Sequence, residues 1–297
     1  MNARFFWIAL SLIGISWIAN SIYAYSKQLE EPIFLDHYIE TSIQDNFYLN
    51  FYYLTNKNDR TTVTSVSAGE WVGYPHGYQF FDEQVYNDQI FTNHVLRKIE
   101  VQFDTYLPES DHLEEFSFTE MDVYFSDGKQ ITAPIGMVKF RPFHYEESPL
   151  TQSSSTSGSY YNRAHYSATE PLTVDAITSS FQEAIQDNFL IKVHAPSTPS
   201  VTKRVYNDSQ NDWDGLPALD LKDITLPFNM ETKDFLSVYS TIAPDFKAVL
   251  ELQIHISGST ASGKSFSTTN SYFHSPYLEQ KDVNEIIKRK TKEASNE

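Results

Sequence analysis

Cysteine is absent from all 297 residues, which removes thiol catalysis, disulfide scaffolds and every Cys-based zinc or iron–sulfur site in one step. The lipid-bearing residue of a lipoprotein is missing for the same reason. Positive charge is scarce: 22 Lys and Arg stand against 39 Asp and Glu, a formal net charge of −17. Such a field repels phosphate backbones, so nucleic acid is not expected as a partner. Glycine is also scarce, 10 residues against 19 Tyr and 21 Phe, a balance that leans towards strands, where aromatics pack well on a pleated surface.

Local catalytic spacing is lacking too. The nine histidines, at positions 37, 76, 94, 112, 144, 165, 194, 255 and 274, form no H-x-H, H-x-x-H or H-E-x-x-H pair, so none has the spacing of a local metal site. The lipase-type G-x-S-x-G is not found. Ser126-Asp127-Gly128-Lys129 has the letters of S-x-x-K, but Asp-Gly between alternating residues is a hairpin turn, and neither S-D-N nor K-T-G accompanies it. Gly258-Ser259-Thr260-Ala261-Ser262-Gly263-Lys264-Ser265 fits the phosphate-loop pattern G-x-x-x-x-G-K-[ST] letter for letter. A phosphate loop must open a helix, however, and Phe266 to Tyr277 is rich in Ser, Thr and aromatics and reaches Pro276. No nucleotide is expected at 258–265, and no cofactor or catalytic residue is assigned.

Long apolar runs are missing except one. From Phe5 to Tyr25 no residue is charged. A helix of that length covers roughly 30 Å, the thickness of a bilayer's hydrocarbon core. Arg4 precedes the run, and Glu30, Glu31 and Asp36 come soon after Lys27 on its other side, so the positive-inside rule puts the N-terminus in the cytoplasm and the bulk outside. A cleaved signal peptide, with Ile22-Tyr23-Ala24 as the cleavage site, is the rival reading. The missing cysteines and a single glycosylation sequon, Asn207-Asp208-Ser209, favour a bacterial cell envelope.

The exported remainder reads as mainly β, two tandem β-sandwich-like domains with short helices behind the transmembrane helix. The expected divisions are 1–28 for the anchor, 29–147 for the first domain, 148–159 for a Ser-rich linker (SPLTQSSSTSGS) and 160–297 for the second domain. A duplication is suggested by Ile43-Gln44-Asp45-Asn46-Phe47 recurring as Ile185-Gln186-Asp187-Asn188-Phe189. Leu35 and Ile39 correspond to Ile177 and Phe181, a four-residue spacing that predicts a short helix in each half, ended by a left-handed Asn46 or Asn188. Alternation predicts strands at His94 to Phe103, Phe116 to Phe125, Met137 to Phe143, Leu219 to Leu226, Phe235 to Ile242 and Leu250 to Ile256. A closing helix begins at Asp282-Val283-Asn284-Glu285 and ends in the basic run 288–292.

Two patterns remain as weak ligand candidates. Asp208, Asp212 and Asp214 before Gly215, with Asp220 beyond, resemble the start of a calcium loop, although Gln210 and Leu221 stand where carboxylates are wanted. Aromatic groups, Tyr160-Tyr161 with His165-Tyr166 and Trp71 with Tyr74 and Tyr78, could form a sugar- or peptide-binding face. Pro108 to Glu115 is an acidic turn without ligand spacing. The leading expectation is a non-enzymatic accessory module, held in the membrane by Phe5–Tyr25, that contacts another envelope or membrane protein. A surface binder of wall glycan or calcium comes second. An envelope hydrolase with a dispersed carboxylate and His site comes third.

Overall fold

A computed structural model describes residues 3–43, 48–76, 89–103, 115–142, 147–196 and 213–294. Expectations that fall on Asn46, Tyr78, Pro108 to Glu114, Phe143, Asp208 and Asp212 lie outside these residues.

The uncharged run forms α1 (Ala3–Tyr25), and every side chain described in it from Phe5 onward is exposed. Its span Phe5–Tyr25 is long and apolar enough to cross a membrane. The chain is fastened to the body directly after it. Leu29 exchanges two 2.8 Å hydrogen bonds with the Asn56 side chain, and His94 Nε2 bonds the Lys27 carbonyl at 2.9 Å.

The body is mainly β. Its first half contains β1 (Ile33–Phe34), β2 (His37–Ile43), β3 (Tyr48–Asn56), β4 (Val63–Ala68), β5 (Trp71–Pro75), β6 (Gln89–Ile90), β7 (His94–Phe103), β8 (Phe116–Phe125) and β9 (Gln130–Pro142). They pair in the order β1-β3-β7-β5-β4-β8-β9-β2, with β6 beside β7. The sheet curls until β1 reaches β9, enclosing a core that includes Phe51, Tyr53, Val101, Phe103, Val123, Ile135 and Phe140.

The second half packs two sheets face to face. One has the order β10-β11-β16-β13-β14, formed by β10 (Leu150–Ser157), β11 (Tyr161–Ala168), β13 (Phe189–His194), β14 (Leu219–Asp220) and β16 (Phe235–Ile242). The other joins β12 (Leu172–Ser179), β15 (Phe228–Met230), β17 (Val249–Thr260) and β18 (Ser265–His274). Tyr166, Val193, Val238, Leu252 and Ile254 meet between them.

Three devices join the halves. β2 lies parallel to both β9 and β17, so the larger sheet of the second half continues into the first. Ile39 on β2 faces the first core, while Tyr38 packs on the second beside Phe181 and Phe246. The closing helix α3 (Gln280–Ala294) lays Val283 and Ile286 against Leu35, Leu54 and Leu96 of the first half. Finally, Arg289 and Lys290 on α3 pair with Asp36, at 2.8 Å and 2.5 Å.

Several expectations are corrected. The Ser-rich segment is strand β10 over most of its length, because β11 offers it an edge to pair with from Leu150↔Ala168 to Ser157↔Asn162, and main-chain bonding needs no apolar side chains. Leu35 and Ile39 lead into strand β2 rather than a helix. A strand with partners on both sides and cores on both faces buries successive residues, which imitates helical spacing. The counterpart does hold a short helix, α2 (Gln182–Ile185), but its left-handed residues are Phe181 and Gln186, while Asn188 caps the Ile185 carbonyl at 2.9 Å. The run from Leu219 keeps two strand residues and then turns through a 3₁₀ helix, Leu221–Asp223. Asp282 sits three residues into α3, where it accepts from the Glu279 N–H at 2.8 Å, the return half of a capping box. Within the basic run, Arg289 and Lys290 pair with Asp36.

Candidate functional site

Alternation along β11 sends Asn162, Ala164, Tyr166 and Ala168 into the core. It therefore leaves Tyr161, Arg163, His165 and Ser167 on the outer face of the five-stranded sheet. On β16 the inward Leu236, Val238 and Ile242 likewise put Phe235, Ser237, Tyr239 and Thr241 on that outer side, and on β13 Leu190, Lys192 and His194 face the same way; Ser237, Tyr239 and Lys192 are buried there, while Phe235 and Leu190 are exposed.

Register then assembles two rows across three strands. Arg163 is opposite Tyr239, which is opposite Lys192; His165 is opposite Ser237, which is opposite His194. The Arg163 guanidinium lies 5.4 Å from the Tyr161 ring centre and 6.0 Å from that of Tyr239. The Lys192 ammonium sits 5.1 Å from the Trp213 ring centre and donates to the Trp213 carbonyl at 2.9 Å. His165 meets Tyr239 edge-on at 6.0 Å, and its Nδ1 lies 2.7 Å from Ser237 Oγ. Burial, then the charge of Arg163, holds the His165 imidazole below its usual range.

The electrostatics of this face run against those of the chain. Among the described residues Arg163 has no carboxylate partner, and the acids nearest the rows are at the rim: Asp214, nearly fully exposed and 3.9 Å from Lys192, and Asp220, opposite Lys192 in register. An arginine lying over two tyrosine rings keeps N–H groups for an oxyanion.

Of the calcium candidates, Asp214 and Asp220 are described: Asp214 lies 3.9 Å from the Lys192 ammonium, and Asp220 is opposite Lys192 in register. No group of three or more His, Asp or Glu side chains converges as a metal site among the described residues. The aromatic groups separate. Tyr166 is in the core, Tyr160 contacts His274, and Trp71 stacks on Phe116 and Phe140 at 5.6 and 5.5 Å, leaving Tyr161 and His165 on the outer face.

The tempting motifs are both hairpin turns. Gly258 to Ser265 closes β17 onto β18, with Thr260 and Lys264 exchanging the turn bonds. Ser126 to Lys129 closes β8 onto β9, and Lys129 reaches away to the Glu30 carbonyl at 2.8 Å.

Sequence reasoning missed the charged seam between the halves. Glu40 on β2 is buried, and its Oε1 lies 2.8 Å from His255 Nε2 on β17 and 3.0 Å from Arg141 Nε on β9. Burial would raise this carboxyl, but the His255 hydrogen bond and charge, and then Arg141, outweigh it and hold it below the usual range. With Oε1 shared by the His255 ring and the Arg141 guanidinium, Glu40 ties three strands together; its partners lie some hundred to two hundred positions away, so no local pattern signals it. A cleft of about 990 Å³ opens where α1 meets the body, lined by Tyr23, Lys27, Glu31, Asn284, Lys288 and Glu293 among others, with both signs of charge.

No family model and no curated protein matches the chain. Among solved structures it is similar to the collagen adhesin of S. aureus, with 12% identity and a TM-score of 0.23 over 78% of this chain and 90% of that one. It is also similar to the Enterococcus faecalis MSCRAMM ACE, with 9% identity and a TM-score of 0.21 over 84% and 96%. A third likeness is to the YadV chaperone, with 9% identity and a TM-score of 0.21 over 81% and 99%. Scores at this level carry no inference about ligand or activity.

Proposed function

We propose that this chain is a membrane-tethered, non-enzymatic binding module outside the cytoplasm, which presents the outer face of its five-stranded sheet to an acidic protein partner of the envelope. The observation that carries this reading is Arg163: partly buried, lying over the rings of Tyr161 and Tyr239, and without a carboxylate partner among the described residues of a chain that has 39 acids. An unused guanidinium in so acidic a molecule fits an anion supplied from outside. The exposed α1, uncharged from Phe5 to Tyr25, supports tethering, and the bonds from Lys27 and Leu29 to His94 and Asn56 would hold the body close to the bilayer. Both catalytic look-alikes being hairpin turns supports a binding role.

A carboxylated or phosphorylated wall glycan is the second reading, favoured by the rings of Tyr161 and Trp213 beside the cations. Both readings are tested by titrating the detergent-solubilised chain with fluorescent poly-L-glutamate and with polygalacturonate, using neutral dextran as control. Binding that weakens with salt and falls about 10-fold or more in Arg163→Gln is expected, the loss of one charge-assisted hydrogen bond being on the order of 1.5–3 kcal/mol. Preference for the polypeptide supports the leading reading, and preference for the polysaccharide the second. Absence of binding, or binding indifferent to Arg163→Gln, contradicts both.

A further inference from the structure

Among the described residues the second half has four strands at sheet edges, β10, β14, β15 and β18, and three of them are short or covered. β14 and β15 are two and three residues long. β18 is ten residues long, but hydrogen bonds with the facing sheet and the residues flanking it close on it. Asn162 Nδ2 donates to the Ser271 carbonyl at 3.2 Å, His274 Nδ1 donates to the Ser159 carbonyl at 3.0 Å, and Ser148 Oγ meets Thr268 Oγ1.

β10 differs from all three. It is eight residues long, and it pairs with β11 on one side and with no strand on the other among the described residues. Thr151 through Ser157 are all exposed, on both faces. The strand contains no Lys, Arg, Asp, Glu or Pro, the residues that natural sheets set on open edges to prevent pairing. One irregularity in its register with β11, between Gln152 and Ser154, is its only blunting feature among the described residues.

We infer that β10 is a homotypic docking edge, on which β10 of a second copy adds antiparallel about a two-fold axis. Charge selects this occupant. In antiparallel self-pairing each residue faces its own strand's sequence, so any charge on β10 would meet a like charge near it. Residues 151–157, TQSSSTS, set only hydroxyls and an amide against themselves, and a register centred on Ser154 puts Ser154 opposite Ser154 and Gln152 opposite Thr156 of the second copy. On a chain of net charge −17 this neutral edge is where two copies can approach at main-chain distance. Such a two-fold axis is perpendicular to the sheet. The outer faces of both copies would then be coplanar, and the two Arg163 rows would lie on one continuous ten-stranded surface. The inference stands on the edge itself and is independent of the ligand reading above.

The test uses the full chain in detergent, which has no native thiol. Ser154→Cys is expected to give a disulfide-linked dimer under mild oxidation, while Lys264→Cys, at the exposed tip of the β17–β18 hairpin, does not. In the otherwise unaltered chain, Ser155→Lys opposes like charges and is expected to weaken dimerisation at least 10-fold by sedimentation equilibrium, with an unchanged circular dichroism spectrum. A chain monomeric at all concentrations overturns the inference. So does a dimer indifferent to Ser155→Lys, which would place the interface elsewhere. Crosslinking of Ser154→Cys to a different envelope protein alone would assign the edge to that partner and overturn self-pairing.

Discussion

Two ionisable residues on adjacent strands, buried His37 and half-buried Glu251, oppose one another in their effect on stability. Burial pushes the His37 imidazole down to about 4, and Tyr52 N–H donates to its Nε2 at 2.9 Å, which suits the neutral ring. Burial pushes the Glu251 carboxyl up to about 7. Unfolding lets His37 take up a proton between about pH 6.5 and 4, so its contribution is complete above that window and is lost as pH falls. Glu251 has the reverse sign. The folded state holds its proton from the ordinary 4.5 up to about 7, and stability falls as pH rises through that range. The two slopes offset each other between about pH 4.5 and 6.5. Glu251→Gln is therefore expected to raise stability at pH 8, by roughly 1–3 kcal/mol, and to leave it nearly unchanged at pH 4.5. In urea titrations at the two pH values, an equal effect at both would contradict this assignment. Neither residue was legible as special in the sequence, because each owes its environment to the long-range pairing of β2 with β17.

At the scale of elements, what the sequence disclosed depended on how each strand is buried. β7, β8 and β16 each keep an alternating apolar row in the sequence that marks their bounds, His94–Phe103, Phe116–Phe125 and Phe235–Ile242, at both ends, although only β8 leaves its second face largely open and Leu236 to Ser240 on β16 are all buried. β2 is buried on both faces and loses alternation, and β10 is exposed on both faces and has none to show. The outer rows on β11, β16 and β13 were half visible: Tyr161 and His165 were marked as aromatic candidates, while Arg163 and Lys192 are brought to them only by register. Gly136 illustrates how tightly β2 is seated. Its φ is +93°, and a Cβ there would stand 2.4 Å from the His37 carbonyl oxygen, so only glycine lets β9 bend against β2. Gly136→Ala is expected to destabilise the chain by roughly 2–4 kcal/mol. Gly128→Ala, at a positive φ in an open turn with nothing within 4 Å, is expected to cost about 1 kcal/mol. Equal losses for the two, measured by urea unfolding, would show that β2 is not held as described.

For the molecule as a whole, two cores suggest two units, but β2, α3 and the Asp36 pairs run between them. We expect one cooperative transition. Variants that retain only Trp71 or only Trp213 report on the first and second halves, and their urea midpoints should coincide, whereas separate midpoints would mean independent domains. The same scale holds the central claim, a body outside the cytoplasm tethered by α1. The absence of cysteine makes thiol labelling in intact cells a clean test. With single cysteines introduced by Asn2→Cys or Lys264→Cys, a membrane-impermeant maleimide should label position 264 at once and position 2 only after permeabilisation, with both variants sedimenting with membranes. Labelling of position 2 in intact cells, protection of position 264, or release of the chain to the medium without its first residues would contradict the tethered topology.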